Sequence, residues 1–181
     1  MSAHIPIEFA TLGGGCFWCI EAGLQALTGV VAVDSGYAGG PIEHPSYRQV
    51  CRGDSGHAEV VQVRFDPRIL DYRMLLTCFF SLHDPTTPNR QGNDIGPQYR
   101  SVVFTHSEAQ AVSAKRLIAE LNDAHIWPNP IVTEILPAPT FWPAEEEHRN
   151  YYARNPEQGY CRVVIAPKLA KLRQKLAAMR G

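Results

Sequence analysis

The alternation of hydrophobic and polar residues is clearest in residues 57–65, which it predicts to form a β-strand. One parity of that segment carries three apolar side chains and a single carboxylate: Glu59, Val61, Val63 and Phe65. Because successive side chains of a strand point to opposite faces, we expect Glu59 to point to the more apolar face. The alternation alone, however, favours a more common arrangement, in which Glu59 lies on an edge strand and its carboxylate reaches water.

Short apolar runs predict further strands at residues 7–12, 30–33, 100–105 and 131–136. Apolar residues three and four positions apart predict helices at residues 16–27, 71–82, 107–124, 143–153 and after Pro167. A glycine-rich loop is expected at residues 36–41, and residues 83–100 form a long segment rich in turn-forming residues. Strands and helices that alternate in this way are typical of an α/β domain in two layers.

The composition of the chain limits the number of domains and the classes of function that it could have. The chain has 181 residues, of which 45% are hydrophobic, and no repeat or linker divides it, so we expect one domain over residues 1–181. A net charge of −1 does not favour nucleic acid or an anionic membrane as a partner. No apolar stretch is long enough to span a membrane, and the first six residues lack a signal-peptide pattern. Five cysteines in a chain of this size favour a reducing compartment, and we expect the cytoplasm.

Cys16 is the strongest candidate for a reactive residue. It follows three glycines after a predicted strand and opens a predicted helix. Unpaired backbone N–H groups and the positive end of the helix dipole at that position favour a thiolate, which is the nucleophilic form of cysteine. The alternative is a small buried core cysteine, and the glycine run beside Cys16 argues against it.

Cys16 and Cys19 form a Cys-x-x-Cys pair that has three interpretations: a thioredoxin-like dithiol, half of a zinc site, or a Cys19 that only packs one turn away. A zinc site normally needs a second close pair, and the other cysteines are scattered, so we expect no metal. Cys51 and Cys78 look structural. Cys161 lies near the end of the chain beside a glycine, so it is either a mobile thiol that reaches a second one or an inert cysteine.

Other residues add weaker evidence. A carboxylate on an apolar face has a raised pKa, so Glu59 could stay protonated and donate a proton. Phe17 and Trp18 directly follow the candidate nucleophile and could line an apolar pocket. Tyr47 and Tyr99 lie in turn-rich segments, where their phenols could donate hydrogen bonds, and Asp94 adds a polar group in the long segment at residues 83–100.

Taken together, the segments resemble the signature of the peptide methionine sulfoxide reductase A family. The matching residues follow the family's order and are Gly15-Cys16-Phe17-Trp18, Gly36-Tyr37-Ala38-Gly39-Gly40, Gly56-His57-Ala58-Glu59-Val60-Val61, His83-Asp84-Pro85-Thr86-Thr87-Pro88-Asn89-Arg90-Gln91-Gly92-Asn93-Asp94-Ile95-Gly96, Gln98-Tyr99-Arg100-Ser101, Phe141-Trp142-Pro143-Ala144-Glu145 with His148, and Gly159-Tyr160-Cys161. They span about residues 8–165. One short motif would carry little weight, but this many motifs in one order are specific.

The resemblance implies a two-layer α/β sandwich with a ferredoxin-like βαββαβ core and long surrounding coils. It implies an enzyme that reduces the S epimer of methionine sulfoxide, free or in proteins, to methionine. Cys16 would be the nucleophile and Glu59 the proton donor. Tyr47 and Tyr99 would donate hydrogen bonds to the sulfoxide oxygen, and Asp94 would belong to the surrounding polar network. Phe17 and Trp18 would hold the methyl group of the substrate.

The resemblance also implies how the enzyme is regenerated. A sulfenic acid on Cys16 would condense with a second thiol, and thioredoxin would reduce the resulting intramolecular disulfide. No cofactor is therefore expected, and the partners would be thioredoxin, oxidised proteins and free methionine sulfoxide. Cys161, in a C-terminal segment at about residues 155–181, matches the family's resolving cysteine. Cys19 stands where many members have Gly and is the alternative, and a relay that uses both thiols is the third arrangement.

Two other functions fit the thiols. Cys16 and Cys19 would suit a general thiol–disulfide oxidoreductase, and a non-enzymatic metal-binding or redox-sensing domain could use the same residues. A plain dithiol exchanger needs neither an acid such as Glu59 nor an aromatic pocket for a methyl group. These two features favour the sulfoxide reductase.

Overall fold

The computed structural model describes His4 and residues 6–180. The signal-peptide prediction rests on the first six residues, of which residues 1–3 and 5 lie outside the described part of the chain. Within that part, no helix is long and apolar enough to cross a membrane.

The strands are β1 (Glu8–Gly14), β2 (Val30–Ala38), β3 (Ala58–Phe65), β4 (Arg90–Gln91), β5 (Asp94–Ile95), β6 (Ser101–Thr105), β7 (Glu134–Pro137) and β8 (Trp142–Pro143). Six of them form one sheet in the order β7-β6-β1-β3-β2-β8, while β4 and β5 form a separate hairpin. Every pair in the large sheet is antiparallel except the parallel pair of β6 and β7. β3 therefore lies inside the sheet, between β1 and β2.

The helices are α1 (Phe17–Gln25), α2 (Tyr47–Cys51), α3 (Tyr72–Ser81), α4 (Glu108–Asp123), α5 (Tyr151–Arg154) and α6 (Ala166–Arg180). Short 3-10 turns occur at Pro97–Tyr99 and Glu146–His148, and a π-helical turn, Cys161–Ile165, runs directly into α6. Two of the longer helices begin at residues that cap them. The side chains of Asp71 and Ser107 accept backbone hydrogen bonds at the starts of α3 and α4.

The two faces of the sheet are covered differently. The main core lies between one face and helices α1, α3 and α4, and it includes Leu12, Val61, Leu24, Phe79 and Leu117. The opposite face carries a smaller cluster that packs against coil residues near position 140. The α/β prediction is confirmed as a mixed fold with a mostly antiparallel sheet.

Three local predictions differ from the structure. β2 continues through Gly36 to Ala38, where a glycine-rich loop was expected. A Cβ atom on Gly36 would lie 2.4 Å from the carbonyl oxygen of Trp142, so glycine is needed for β8 to pair there. The predicted helix at residues 143–153 is broken into a 3-10 turn and α5 by Asn150, which adopts a left-handed conformation. The short helix α2 was not predicted.

Two valines of β2 test this packing. Val33 is 6% exposed and Val31 is 59% exposed. We expect Val33→Ala to lower the free energy of unfolding by roughly 2 kcal/mol, because about two methylene equivalents of burial are lost and a cavity remains. Val31→Ala is the matched control and should change it by about 0.5 kcal/mol or less. Urea unfolding followed by circular dichroism measures both, and equal losses would contradict the packing described.

Candidate active site

Cys16 lies at the turn between β1 and α1. The preceding Gly15 has a φ of +96°, a left-handed conformation that glycine adopts without strain. A Cβ atom there would lie 2.6 Å from Cγ of Gln91, so the close approach of the long coil also requires glycine. Cys16 is half-buried and is the N-cap residue of α1, so its thiol lies at the positive end of the helix.

The carboxyl group of Glu59 meets the same end of α1 from the sheet. Glu59 is 1% exposed, and its Oε1 accepts the backbone N–H of Phe17 at 3.3 Å. Its Oε2 is buried without a hydrogen-bond partner among the described residues. The prediction that Glu59 points to the apolar face is confirmed. The alternative of an edge-strand carboxylate in water is wrong, because β3 is paired on both sides.

Burial raises the pKa of Glu59 to about 8. The N–H of Phe17 opposes this shift, whereas the negative charges of Asp94 and Cys19 add to it. Glu59 is therefore mainly a neutral carboxylic acid at neutral pH. A neutral acid has an O–H to donate, and the unpartnered oxygen of Glu59 can carry it.

The thiol of Cys16 is not stabilised as a thiolate in the free protein. Burial raises its pKa well above the ordinary value for cysteine, and a hydrogen bond with Cys19 and the charge of Glu59 act in the same direction. The backbone N–H of Trp18 opposes them. The N–H of Trp18, in the first turn of α1, is therefore outweighed mainly by the burial of the thiol. The prediction of a Cys16 thiolate from its backbone context is therefore wrong for the resting protein.

An aromatic wall lies beside Cys16. Phe17 is buried and Trp18 is half-buried. The indole N–H of Trp18 donates to Nδ1 of His148 at 3.2 Å, and its ring stacks on Tyr151 with centroids 3.7 Å apart. The ring of Tyr47 lies 6.3 Å from that of Phe17 in a stacked arrangement. These contacts hold the wall in one position.

Tyr47 and Tyr99 lie near the acid. Tyr47 begins α2, and its backbone N–H donates to Glu145 at 3.0 Å. Tyr99 ends the 3-10 turn in the long coil. Burial raises the pKa of both phenols, and the charge of Glu59 raises both further. They are therefore neutral hydrogen-bond donors close to Glu59.

Three cysteines come together on the other side of α1. Cys19 and Cys161 share a buried cluster with Ile165 and Leu169, and Cys16 packs against it. The hydrogen bond from Cys16 lowers the pKa of Cys19 to about 7. Cys161 is fully buried at the first position of the π-helical turn, on the same cluster as Cys19.

Asp94 belongs to this thiol side as well. It is half-buried on β5, and its Oδ2 accepts the hydroxyl of Tyr160 at 3.0 Å. The Tyr160 oxygen also lies 3.7 Å from Sγ of Cys19. Cys78 is buried in the core as expected for a structural residue, whereas Cys51 lies at the end of α2, where burial raises the pKa of its thiol.

Among the described residues, one group of three metal-ligand side chains lies close together: Glu145, Glu147 and His148, with donor atoms within 4.8 Å of one another. Nδ1 of His148 accepts the indole N–H of Trp18, so the proton of a neutral imidazole must be on Nε2, which faces Glu147. A protonated nitrogen cannot coordinate a metal. The group therefore fits a hydrogen-bonded scaffold for Trp18 better than a metal site.

Comparisons with known proteins agree over nearly the whole chain. A sequence profile of the family described as Peptide methionine sulfoxide reductase matches residues 8–180. The Peptide methionine sulfoxide reductase MsrA of Polynucleobacter asymbioticus is 54% identical over 173 residues, which cover 96% of this chain and 91% of that protein. The chain belongs to the peptide methionine sulfoxide reductase family.

Solved structures of similar proteins have the same fold. The reduced form of Mxr1 from Saccharomyces cerevisiae superposes with a TM-score of 0.80 at 38% identity, covering 86% of this chain and 89% of that one. Mxr1 in complex with Trx2 gives a TM-score of 0.57 at 28% identity, over 82% and 88% of the two chains. As a member of this reductase family, the protein is an oxidoreductase that reduces methionine sulfoxide. A general thiol–disulfide oxidoreductase is not favoured.

The structure adds residues to this reductase's site that were not singled out for a role. Tyr160 bridges Asp94 and Cys19, and His148 orients Trp18. Both lie in segments that match the family signature, and the sequence carries no other indication of their roles. Their partners are far away along the chain, so no local pattern predicts the contacts.

The raised pKa of Glu59 makes the stability of the reductase depend on pH. Folding takes up a proton at Glu59 when the pH lies between the ordinary pKa of glutamate and about 8, so its contribution is fully present at acidic pH and is lost as the pH rises through that range. Glu59→Gln cannot ionise. We expect its free energy of unfolding to rise relative to wild type by several kcal/mol between about pH 5 and about pH 9.

Urea unfolding at several pH values measures this difference. Glu8→Gln removes one negative charge at an exposed position of β1 and is the control. Parallel pH profiles for wild type and Glu59→Gln would contradict a neutral, buried Glu59.

Proposed function

We propose that Cys16 attacks the sulfur of the S epimer of methionine sulfoxide while Glu59 protonates its oxygen, giving methionine and a sulfenic acid on Cys16. The observation that carries this proposal is the unpartnered Oε2 of Glu59, buried next to the nucleophile and bearing a proton at neutral pH. A sulfoxide sulfur is a poor electrophile until its oxygen accepts a proton. A neutral acid at that position supplies the proton as the S–O bond breaks.

Neutral Glu59 also favours ionisation of Cys16. The charge of an ionised Glu59 is one of the causes that raise the pKa of Cys16, and this cause disappears when the carboxyl group is protonated. A bound sulfoxide whose oxygen is being protonated adds positive charge at the sulfur, next to the thiol. The thiolate therefore forms where and when it is needed, although it is not the resting form.

The other site residues position the substrate. Tyr47 and Tyr99 donate hydrogen bonds to the sulfoxide oxygen, which stabilises the charge that develops there. Phe17 and Trp18 hold the methyl group on the aromatic wall, and this fixes which epimer presents its oxygen to the acid. Asp94 completes the polar network from β5. Substrates are methionine sulfoxide residues of oxidised proteins and the free amino acid.

The sulfenic acid is resolved by the cysteine cluster. Cys19 attacks the Cys16 sulfur first, because Cys16 packs against the buried cluster to which Cys19 belongs. Water leaves and a Cys16–Cys19 disulfide forms. Cys161 then attacks Cys19, which releases Cys16 and leaves a Cys19–Cys161 disulfide. Their shared buried cluster supports this order.

Thioredoxin supplies the electrons, with no other cofactor. The complex of yeast Mxr1 with Trx2 supports this partner. Because Cys161 is fully buried, the π-helical turn must open before thioredoxin can reach the disulfide. Turns of this kind occur frequently at functional sites. A disulfide that thioredoxin recycles requires a reducing compartment, so the reductase works in the cytoplasm.

We further propose that residues 1–181 act as one catalytic domain, with the resolving cysteine in the segment at about residues 155–181. The core strands follow the order β6-β1-β3-β2 and are antiparallel. Helices α1 and α3 connect these strands in a βαββαβ sequence. This arrangement supports a ferredoxin-like core.

Replacing Glu59 with Gln keeps the shape of the side chain and removes the transferable proton. We expect single-turnover formation of methionine from the S epimer to slow by roughly 10²–10⁴-fold, the usual contribution of a general acid. The R epimer should give no methionine with wild type. Rapid quenching followed by chromatographic measurement of methionine gives both results.

Glu21→Gln is the matched control. Glu21 is also buried, burial raises its pKa, and it accepts the backbone N–H of Asn150, a residue with no proposed role in the reaction. This variant should keep the wild-type rate. An unchanged rate in Glu59→Gln would reject the acid, turnover of the R epimer alone would reject the pocket, and no turnover of the S epimer by wild type would reject the function.

Mass spectrometry after oxidation by methionine sulfoxide without reductant identifies the resolving thiols. We expect a Cys19–Cys161 disulfide in wild type, and a Cys16–Cys19 disulfide that accumulates in Cys161→Ser. Cys78→Ser changes a buried core cysteine and should leave the wild-type pairing. A Cys16–Cys19 disulfide in wild type with Cys161 free would remove Cys161 from the mechanism. A Cys16–Cys161 disulfide in Cys19→Ser at the wild-type rate would remove Cys19.

A further inference from the structure

The hydroxyl of Tyr160 lies between two groups of the active site. It donates a hydrogen bond to Oδ2 of Asp94 at 3.0 Å, and its oxygen lies 3.7 Å from Sγ of Cys19. A phenol has one proton, and an ionised carboxylate only accepts hydrogen bonds. Because the phenol proton is directed to Asp94, the contact with Cys19 runs from the thiol S–H to the phenol oxygen.

We propose that Tyr160 passes the proton of Cys19 to Asp94 and thereby activates Cys19 to attack the sulfenic acid on Cys16. The thiol proton moves to the phenol oxygen as the phenol's own proton moves to the carboxylate. Tyr160 is neutral before and after the transfer. This inference rests on the proposed function, because it concerns the step that follows reduction of the sulfoxide.

The two proton transfers occur together. Burial raises the pKa of Tyr160, and the charges of Cys16, Cys19 and Asp94 raise it further, so a free phenolate is not an intermediate. The ring packs edge-on against Trp18 with centroids 5.9 Å apart, which keeps the hydroxyl in line between its two partners. Tyr160 therefore acts as a bridge and not as a base in its own right.

The step balances in atoms and electrons. The Cys19 thiolate attacks the Cys16 sulfur, the S–S bond forms and the S–OH bond breaks. The lone pair of the Cys19 thiolate becomes the S–S bond, so the formal oxidation number of the Cys19 sulfur rises by one and that of the Cys16 sulfur falls by one. The hydroxide that leaves takes up one proton, which balances the proton that Cys19 gave to Asp94. The products are therefore the disulfide and water.

Several charged or titratable groups act on Cys19 besides Tyr160. They come from α1, β3, β5, the π-helical turn and α6, and are Cys16, Glu59, Asp94, Cys161 and Lys168. Lys168 lowers the pKa of Cys19, whereas Asp94 raises it while it is ionised. Protonation of Asp94 through Tyr160 removes that opposing charge at the moment the thiolate forms. The transfer through Tyr160 therefore removes the proton from Cys19 and, by neutralising Asp94, also favours the Cys19 thiolate that it forms.

Tyr160→Phe tests the relay, since it keeps the ring against Trp18 and removes the hydroxyl. After one equivalent of S epimer is reduced, the sulfenic acid is trapped at successive times with dimedone, and methionine is measured in the same samples. We expect the rate of sulfenic acid loss, divided by the rate of methionine formation, to fall roughly 10²-fold, the low end for a lost acid–base group. Asp94→Asn should give the same fall, and the double variant no further fall, because both residues act in one path.

Tyr152→Phe is the control, because Tyr152 packs against the same cysteine cluster. It should keep the wild-type ratio. A wild-type ratio in Tyr160→Phe, or additive losses in the double variant, would overturn the relay. Failure of the proposed function is distinguishable, because wild type would then form no methionine at all.

A second measurement uses only the wild-type protein, so its result does not depend on whether the variants fold. The rate of sulfenic acid loss is followed in mixtures of H₂O and D₂O. Two protons that move together predict a curved dependence on the deuterium fraction. A linear dependence would overturn the relay.

Discussion

The active site depends on one buried carboxyl group. Glu59 lies on an interior strand, 1% exposed, and receives a single hydrogen bond, from the first backbone N–H of α1. Water cannot solvate its charged form there, so the proton stays on the carboxyl group up to about pH 8. Glu59 and Cys16 thus lie at one helix terminus, and burial is the largest cause of the raised pKa of both.

The site has two sides that divide the reaction between them. On the sheet side lie Glu59 and two neutral phenols, the groups proposed to receive the sulfoxide oxygen. On the side of the C-terminal helix, Cys19, Tyr160 and Cys161 form a compact thiol cluster. Cys16 lies where the two sides meet, and in the proposed mechanism it reacts first with substrate and then with Cys19. The π-helical turn carries Cys161 and runs directly into α6.

Much of this architecture could be predicted from the sequence. The alternation in β3 gives the face on which Glu59 lies, and the glycine run before Cys16 gives the turn. The hydrogen bond between Tyr160 and Asp94 joins residues 66 positions apart, and that between Trp18 and His148 joins residues 130 apart, so no periodicity indicates them. The thiolate prediction for Cys16 failed because it counted the helix terminus but not the burial of the thiol, which is the largest cause of its raised pKa, or the neighbouring Cys19 and Glu59.

Infrared difference spectroscopy of the C=O stretch of a protonated carboxyl group tests the neutral Glu59 most directly. The substrate-free, reduced protein is titrated in D₂O, and the spectrum of Glu59→Gln is subtracted. A protonated-carboxyl band that is present at neutral pH, disappears with a midpoint near pH 8 and is missing in the variant is the expected result. A Glu59 band that titrates in the ordinary range of a solvent-exposed glutamate would contradict the account, because the site would then hold no acid at the pH where it works.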